Sequence, residues 1–154
     1  MKKVLQKFGL NPDNSVIIGS GILQALKIRK SNDTDLVVSR EVYNRLKKSG
    51  NFTVKHNPEH KFGPEILKGD NLEIGVTWTE LNTPHELEYF KKYSVIINGV
   101  RYINLDFLYK VKKEWLKQKS PRQKDIDDVK LIERFKDQIA KRAKLGYSVR
   151  TSTF

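Results

Sequence analysis

Cysteine is absent from all 154 residues, which excludes disulfide staples and thiolate chemistry. Long apolar runs are missing as well. No window approaches the ~18 apolar residues that would span a bilayer, and Met1-Lys2-Lys3 leads into only a few apolar residues, short of a signal-peptide core. A soluble, cytoplasmic protein is expected. Histidine is scarce: His56 and His60 stand four apart, but no cysteine or third histidine lies nearby to complete a zinc set. Acidic side chains are few beside basic ones, 18 against 30, a formal charge of +12. That imbalance favours a polyanionic partner, a nucleic acid or the phosphates of a nucleotide, and a solvated lysine-rich surface is an equal alternative. No internal repeat and no dividing linker is present, and a chain of this length buries roughly 70% of its unfolded surface. One domain, 1–154, is expected, with a core over 16–104, a helical segment over 105–145 and a frayed tail over 146–154.

The patterning alternates between strand and helix periods, predicting an α/β (α+β) fold with a mixed sheet and flanking helices. A short helix over Lys2–Phe8 closes at Gly9. Ser39 caps a helix over Arg40–Lys48 that Ser49-Gly50 ends. Phe52–His56 alternates as a strand. Phe62–Leu67 is a further strand candidate, interrupted by Gly63-Pro64 and so confined to an edge. After the turn Lys68-Gly69-Asp70-Asn71, Leu72–Thr77 alternates, with Glu73, Gly75 and Thr77 on what is expected to be an open face. Thr83-Pro84-His85-Glu86 has the form of a capping box opening a helix to about Lys92, with His85 in its first turn. Asn98-Gly99 predicts a hairpin between Tyr93–Asn98 and Val100–Ile103.

The last third is helical and basic. Asn104 caps a predicted helix over Leu105–Lys117, with Leu105, Leu108 and Trp115 buried. Ser120-Pro121-Arg122-Gln123 reads as a second capping box, followed by an apolar stripe of Ile126, Val129, Ile132, Phe135 and Ile139. Lys124, Asp127 and Asp128 fall off that stripe. Arg122 and Lys124 beside the helix start suggest a second anion site.

The chemistry concentrates between Val16 and Ser39. Val16-Ile17-Ile18 reads as a buried strand, Gly19-Ser20-Gly21 as a sharp exit where backbone amides approach a ligand, and Ile22–Ile28 as a short helix. Asp33 and Asp35 then stand two apart at the start of the strand Leu36–Val38, so their side chains share a face. Carboxylates on one side and amide donors on the other suit a magnesium–triphosphate complex. Gly19-Ser20-Gly21 is not a dinucleotide fingerprint, since Gln24 stands where a third glycine belongs, and no Gly-Lys-Ser/Thr follows for a Walker loop.

Gly19-Ser20, twelve further residues, Asp33-Thr34-Asp35-Leu36 and a distal acid at Glu73 resemble the nucleotidyltransferase superfamily related to DNA polymerase β. Thr34 fills a slot that is usually apolar in that signature. The likeness runs from about Val16 to Thr77. Arg122-Gln123-Lys124-Asp125-Ile126-Asp127-Asp128 resembles the Lys-Asp-x-x-Asp helix of small bacterial members of the AbiEii type. The resemblance implies an active site on one face of a mixed sheet. Asp33, Asp35 and Glu73 would bind two magnesium ions, or manganese, about 3.5–4 Å apart. Gly19 and Ser20 would hold the triphosphate, with Arg29, Lys30 or Lys124 adding positive charge. A nucleoside monophosphate would pass from a nucleoside triphosphate to a hydroxyl on a protein, an RNA or a small molecule. A partner protein, as in a toxin–antitoxin pair, is a further implication. Against this stand two other classes: an idle domain of the same fold that binds nucleic acid through its charge, and a protein-interaction module without transfer. Tyr89, Phe90, Tyr93, Tyr102, Phe107, Tyr109 and Trp115 suit either base stacking or a core.

Overall fold

A computed structural model describes residues 1–56, 65–80 and 82–146. In chain order the elements are α1 (Lys2–Lys7), β1 (Ser15–Ile18), α2 (Gly21–Ala25), β2 (Thr34–Val38), α3 (Arg40–Ser49), β3 (Thr53–His56), β4 (Glu65–Gly69) and β5 (Leu72–Gly75). They continue with β6 (Thr77–Glu80), β7 (Thr83–Glu86), α4 (Leu87–Lys92), β8 (Ser94–Ile97), β9 (Val100–Ile103), α5 (Leu105–Trp115) and α6 (Gln123–Lys144). Seven strands form one mixed sheet in the order β3-β4-β5-β2-β1-β9-β8, and β6 pairs with β7 apart from it. The α+β class and the mixed sheet are as expected. No described helix is long and apolar enough to cross a membrane.

Local chemistry explains most of these elements. Ser39 Oγ accepts the Val42 amide at 3.2 Å and caps α3, which ends at Gly50 in the left-handed region. Asp70 and Asn71 both take positive φ in the β4–β5 turn, and Asn98-Gly99 does the same between β8 and β9. Two successive left-handed residues match the twist of a two-residue hairpin. The centre of the sheet is buried on both faces: every residue of β1 is buried, as are Leu36, Val37, Val38, Leu67, Leu72 and Ile74.

Several expectations change. Leu72–Thr77 is not one strand, because the chain bends at Val76 and leaves the large sheet for the β6–β7 hairpin. Gly75 is buried, so the odd-numbered face of β5 is open only at Glu73. Thr83–Glu86 is a strand, not the first turn of a helix. Pairing with Thr77–Glu80 satisfies its backbone, and Pro84 is tolerated in a two-stranded ribbon where one side has no neighbour. The helix starts at Leu87, and His85 lies in β7. The second capping box also fails: α6 begins at Gln123 with Arg122 at the N-cap position and no side-chain cap. α2 is shorter than predicted and ends at Ala25, α5 stops at Trp115, and Trp115 is only partly buried. Of the strand proposed over Phe62–Leu67, the described part begins at Glu65; Phe62, Gly63-Pro64, His60 and 147–154 lie outside the described residues.

Candidate functional site at the sheet end

The candidate residues meet through strand register. β1 runs antiparallel to β2 with Ile18 opposite Asp35, and β2 runs parallel to β5 with Asp35 beside Glu73. Neighbouring strands lie ~4.8 Å apart, so the two acids are adjacent on one face. Asp33 precedes β2 by one residue and is exposed. The chain therefore gathers the exit of β1 and the entries of β2 and β5 at one end of the sheet.

The glycine turn sits against this group. Gly19 has φ +65°, and a Cβ built there would lie 3.3 Å from Asp35 Oδ2, so the turn backbone and the carboxylate are close neighbours. Gly21 is required for a different reason: its Cβ would fall 2.3 Å from Ile17 Cγ2, inside the van der Waals radius. Only glycine lets α2 start directly over β1. Ser20 Oγ and Ser31 Oγ are 3.1 Å apart, Ser31 Oγ donates to the Asp33 carbonyl at 3.2 Å, and the Ser31 amide donates to Gln24 Oε1 at 2.7 Å. The Thr34 amide donates to the Asn71 carbonyl at 2.9 Å. These bonds fix the loop carrying Asp33 to the glycine turn on one side and to the β4–β5 turn on the other.

Charge is arranged unevenly around the acids. Lys68 of β4, in register with Glu73, approaches it at 3.4 Å. Among the described residues no group of three His, Cys, Asp or Glu side chains is set to hold a metal ion. Asp33, Asp35 and Glu73 thus share a sheet end without forming a closed ligand set. Their chemistry fits a hard divalent cation, which takes carboxylate oxygens; closing the set requires Glu73 to leave Lys68 and the three side chains to draw together.

The cations separate. Arg29 donates from Nε to Asp128 Oδ1 at 2.6 Å and from Nη2 to Asp128 Oδ2 at 2.8 Å, a bidentate pair, and from Nη1 to the Lys30 carbonyl at 2.8 Å. Lys30 and Lys124 are exposed. Asp128, expected off the apolar stripe, is only 1% exposed. Lys112, itself buried, bridges Asp125 at 2.8 Å and Asp128 at 2.9 Å, and Arg122 donates to both oxygens of Asp125. Arg122 is therefore committed to Asp125, not open at the helix start as a second anion site. Burial pushes the Asp125 carboxyl up, but hydrogen bonds from Arg122 and Lys112, with their charges, outweigh it and hold the group below the usual carboxylate range. Burial likewise opposes Arg29 and Lys112 at Asp128, with the same lowered outcome.

Sequence reasoning missed Lys112. The available signal was an i, i+3 acid pair, Asp125 and Asp128, flanking the buried positions Val129 and Ile132, which demanded a buried cation. No protein-family model, curated protein or solved structure matches this chain.

Proposed function

We propose that the protein is a nucleotidyltransferase that moves a nucleoside monophosphate from a nucleoside triphosphate to an acceptor hydroxyl. One observation carries this reading: Asp35 and Glu73 stand side by side on parallel strands, with the Asp35 carboxylate against the backbone of the Gly19-Ser20 turn. Acids from two separate segments beside a glycine turn are the pairing that a polyphosphate and its counter-ions would need.

Asp33, Asp35 and Glu73 would hold magnesium, which when bound neutralises the triphosphate and lowers the pKa of the acceptor hydroxyl. The Gly19 and Ser20 amides and the Ser20 hydroxyl orient the β and γ phosphates. The acceptor oxygen bonds to the α-phosphorus as the bond from that phosphorus to the α–β bridging oxygen breaks. Pyrophosphate leaves with that electron pair, and the hydroxyl proton passes to Glu73 or to solvent. Arg29, held bidentately by Asp128, positions the chain leading to the Asp33 loop, and exposed Lys30 would add positive charge at its edge. Positioning and electrostatics carry the rate, since the protein forms no covalent bond in this scheme.

The test is a panel of α-labelled nucleoside triphosphates with magnesium and cell extract. Label should enter one acceptor class with wild type and not with Asp35→Asn or Glu73→Gln. Label incorporation that survives both substitutions contradicts the reading. A stoichiometric partner protein with no incorporation favours the interaction module.

A further inference from the structure

A cavity of about 270 Å³ lies between α4 and α5, lined by Tyr89, Tyr93, Asn104, Phe107, Lys110 and neighbours. Its size is close to the lower bound of small-molecule pockets, about 300 Å³, so it takes one ring system. Its walls are aromatic. Tyr93 and Phe107 lie 5.3 Å apart at 31°, and Tyr89 stands 5.2 Å from Tyr93 with its other flank stacked on His85 at 3.6 Å. Tyr93 is 41% exposed, unusual for a large apolar ring in a chain whose other aromatics are mostly covered.

The rim is basic. Lys110 is exposed and has no ion-pair partner among the described residues. Asp106, the acid at this rim, is already paired with Lys136, so it does not neutralise Lys110. Lys113 and Lys136 flank the next aromatic along α5, at 5.3 and 4.5 Å from the Tyr109 ring. With Lys136 spent on Asp106, Lys110 is the cation that the cleft itself offers, and aromatic walls with one such lysine call for a planar ring attached to a phosphate.

Position supports the same ligand. β9 runs parallel to β1 with Tyr102 beside Ile17, and β8 pairs Ser94 with Ile103. Asn104 and Tyr93 therefore stand at the same end of the sheet as Gly19. The Asn104 amide donates to the Tyr93 carbonyl at 2.8 Å, which fixes the two walls together. Asn104 and Tyr93 thus stand one and two strands away from the glycine turn.

We propose that this cleft binds one base of a single-stranded nucleic acid, stacked on Tyr93, with Lys110 on the adjoining phosphate. That the bound strand is also the acceptor rests on the transfer reading above; the binding itself does not. The probe is a fluorescein-labelled single-stranded RNA decamer, followed by anisotropy against the full chain without magnesium or triphosphate. Tyr93→Ala should weaken binding about tenfold, and Tyr93→Phe should stay within about twofold, because stacking needs the ring and not the hydroxyl. Lys110→Ala should lower the slope of log affinity against log salt by about 0.7, one phosphate contact. The proposal is overturned if wild type does not bind, if Tyr93→Ala and Lys110→Ala both bind like wild type, or if AMP competes as well as unlabelled decamer. Decamer binding through Tyr93 without label transfer in the triphosphate panel upholds the cleft and removes the transferase. Transfer to another acceptor without decamer binding does the reverse.

Discussion

Two acidic groups in this chain look alike on paper and behave in opposite ways. Asp33, Asp35 and Glu73 stand at a strand end, partly or fully exposed, with one lysine reaching Glu73. Asp125 and Asp128 are buried and fully matched by Lys112, Arg29 and Arg122. Backbone makes the difference. Strand register places acids of like sign together at the sheet end, partly exposed to solvent, whereas a helix places Asp125 and Asp128 one turn apart over a neighbouring helix that brings a buried cation. The buried group joins α6 to α5 and to the loop after α2, so it serves the site by holding Arg29 and the Asp33 loop in place.

Removing one acid from each group sharpens that contrast. Asp35→Asn should reduce label transfer at least about a hundredfold, since loss of a ligand removes several kcal/mol of transition-state stabilisation. Its urea midpoint should stay close to wild type. Asp128→Ala should do the converse in stability, costing about 3 kcal/mol in urea unfolding because it strands Lys112 and Arg29 against a buried gap. The same group predicts acid sensitivity. Both carboxyls are held below their unfolded value of about 3.9, so their contribution is complete above that pH and is lost as pH falls through the lower folded values. Unfolding stability should therefore drop below about pH 4, and Asp128→Asn should flatten that slope.

Gly21→Ala is next in size. Its methyl would overlap Ile17 Cγ2, and overpacking of this kind costs about 1–3 kcal/mol. Thermal unfolding should show the loss, and transfer should fall with it because the glycine turn moves. Smallest is Lys68→Ala. The pair with Glu73 is partly exposed, so stability should change by less than ~1 kcal/mol. The magnesium concentration needed for half-maximal transfer should fall, since Glu73 no longer has a competing partner. An unchanged magnesium requirement would show that Lys68 does not hold Glu73 back.

Much of the sheet end was legible in the sequence. Gly19-Ser20-Gly21, the i, i+2 acids, the turn at Lys68-Gly69-Asp70-Asn71 and the hairpin signal at Asn98-Gly99 all act locally, and local chemistry decides them. The buried ion cluster was not legible, because Asp128 and Arg29 are 99 residues apart and only tertiary packing brings them together. Thr83–Glu86 misled for a related reason: Thr-Pro-x-Glu suits a helix start, but pairing with Thr77–Glu80 satisfies the same backbone groups first. At Ser120–Gln123 the competing partner was Asp125, which takes the Arg122 guanidinium and sets the first turn of α6 two residues later.

The central claim is that the three acids at the sheet end come together around divalent cations under the glycine turn. Manganese titrated into 15N-labelled protein with a non-hydrolysable nucleoside triphosphate reads this directly, through paramagnetic broadening of backbone amides. Broadening confined to residues around Gly19-Ser20, Asp33–Asp35 and Glu73, and absent in Asp35→Asn, is the predicted result. Uniform or absent broadening there, or broadening centred on Asp106 and Asp127, would contradict it.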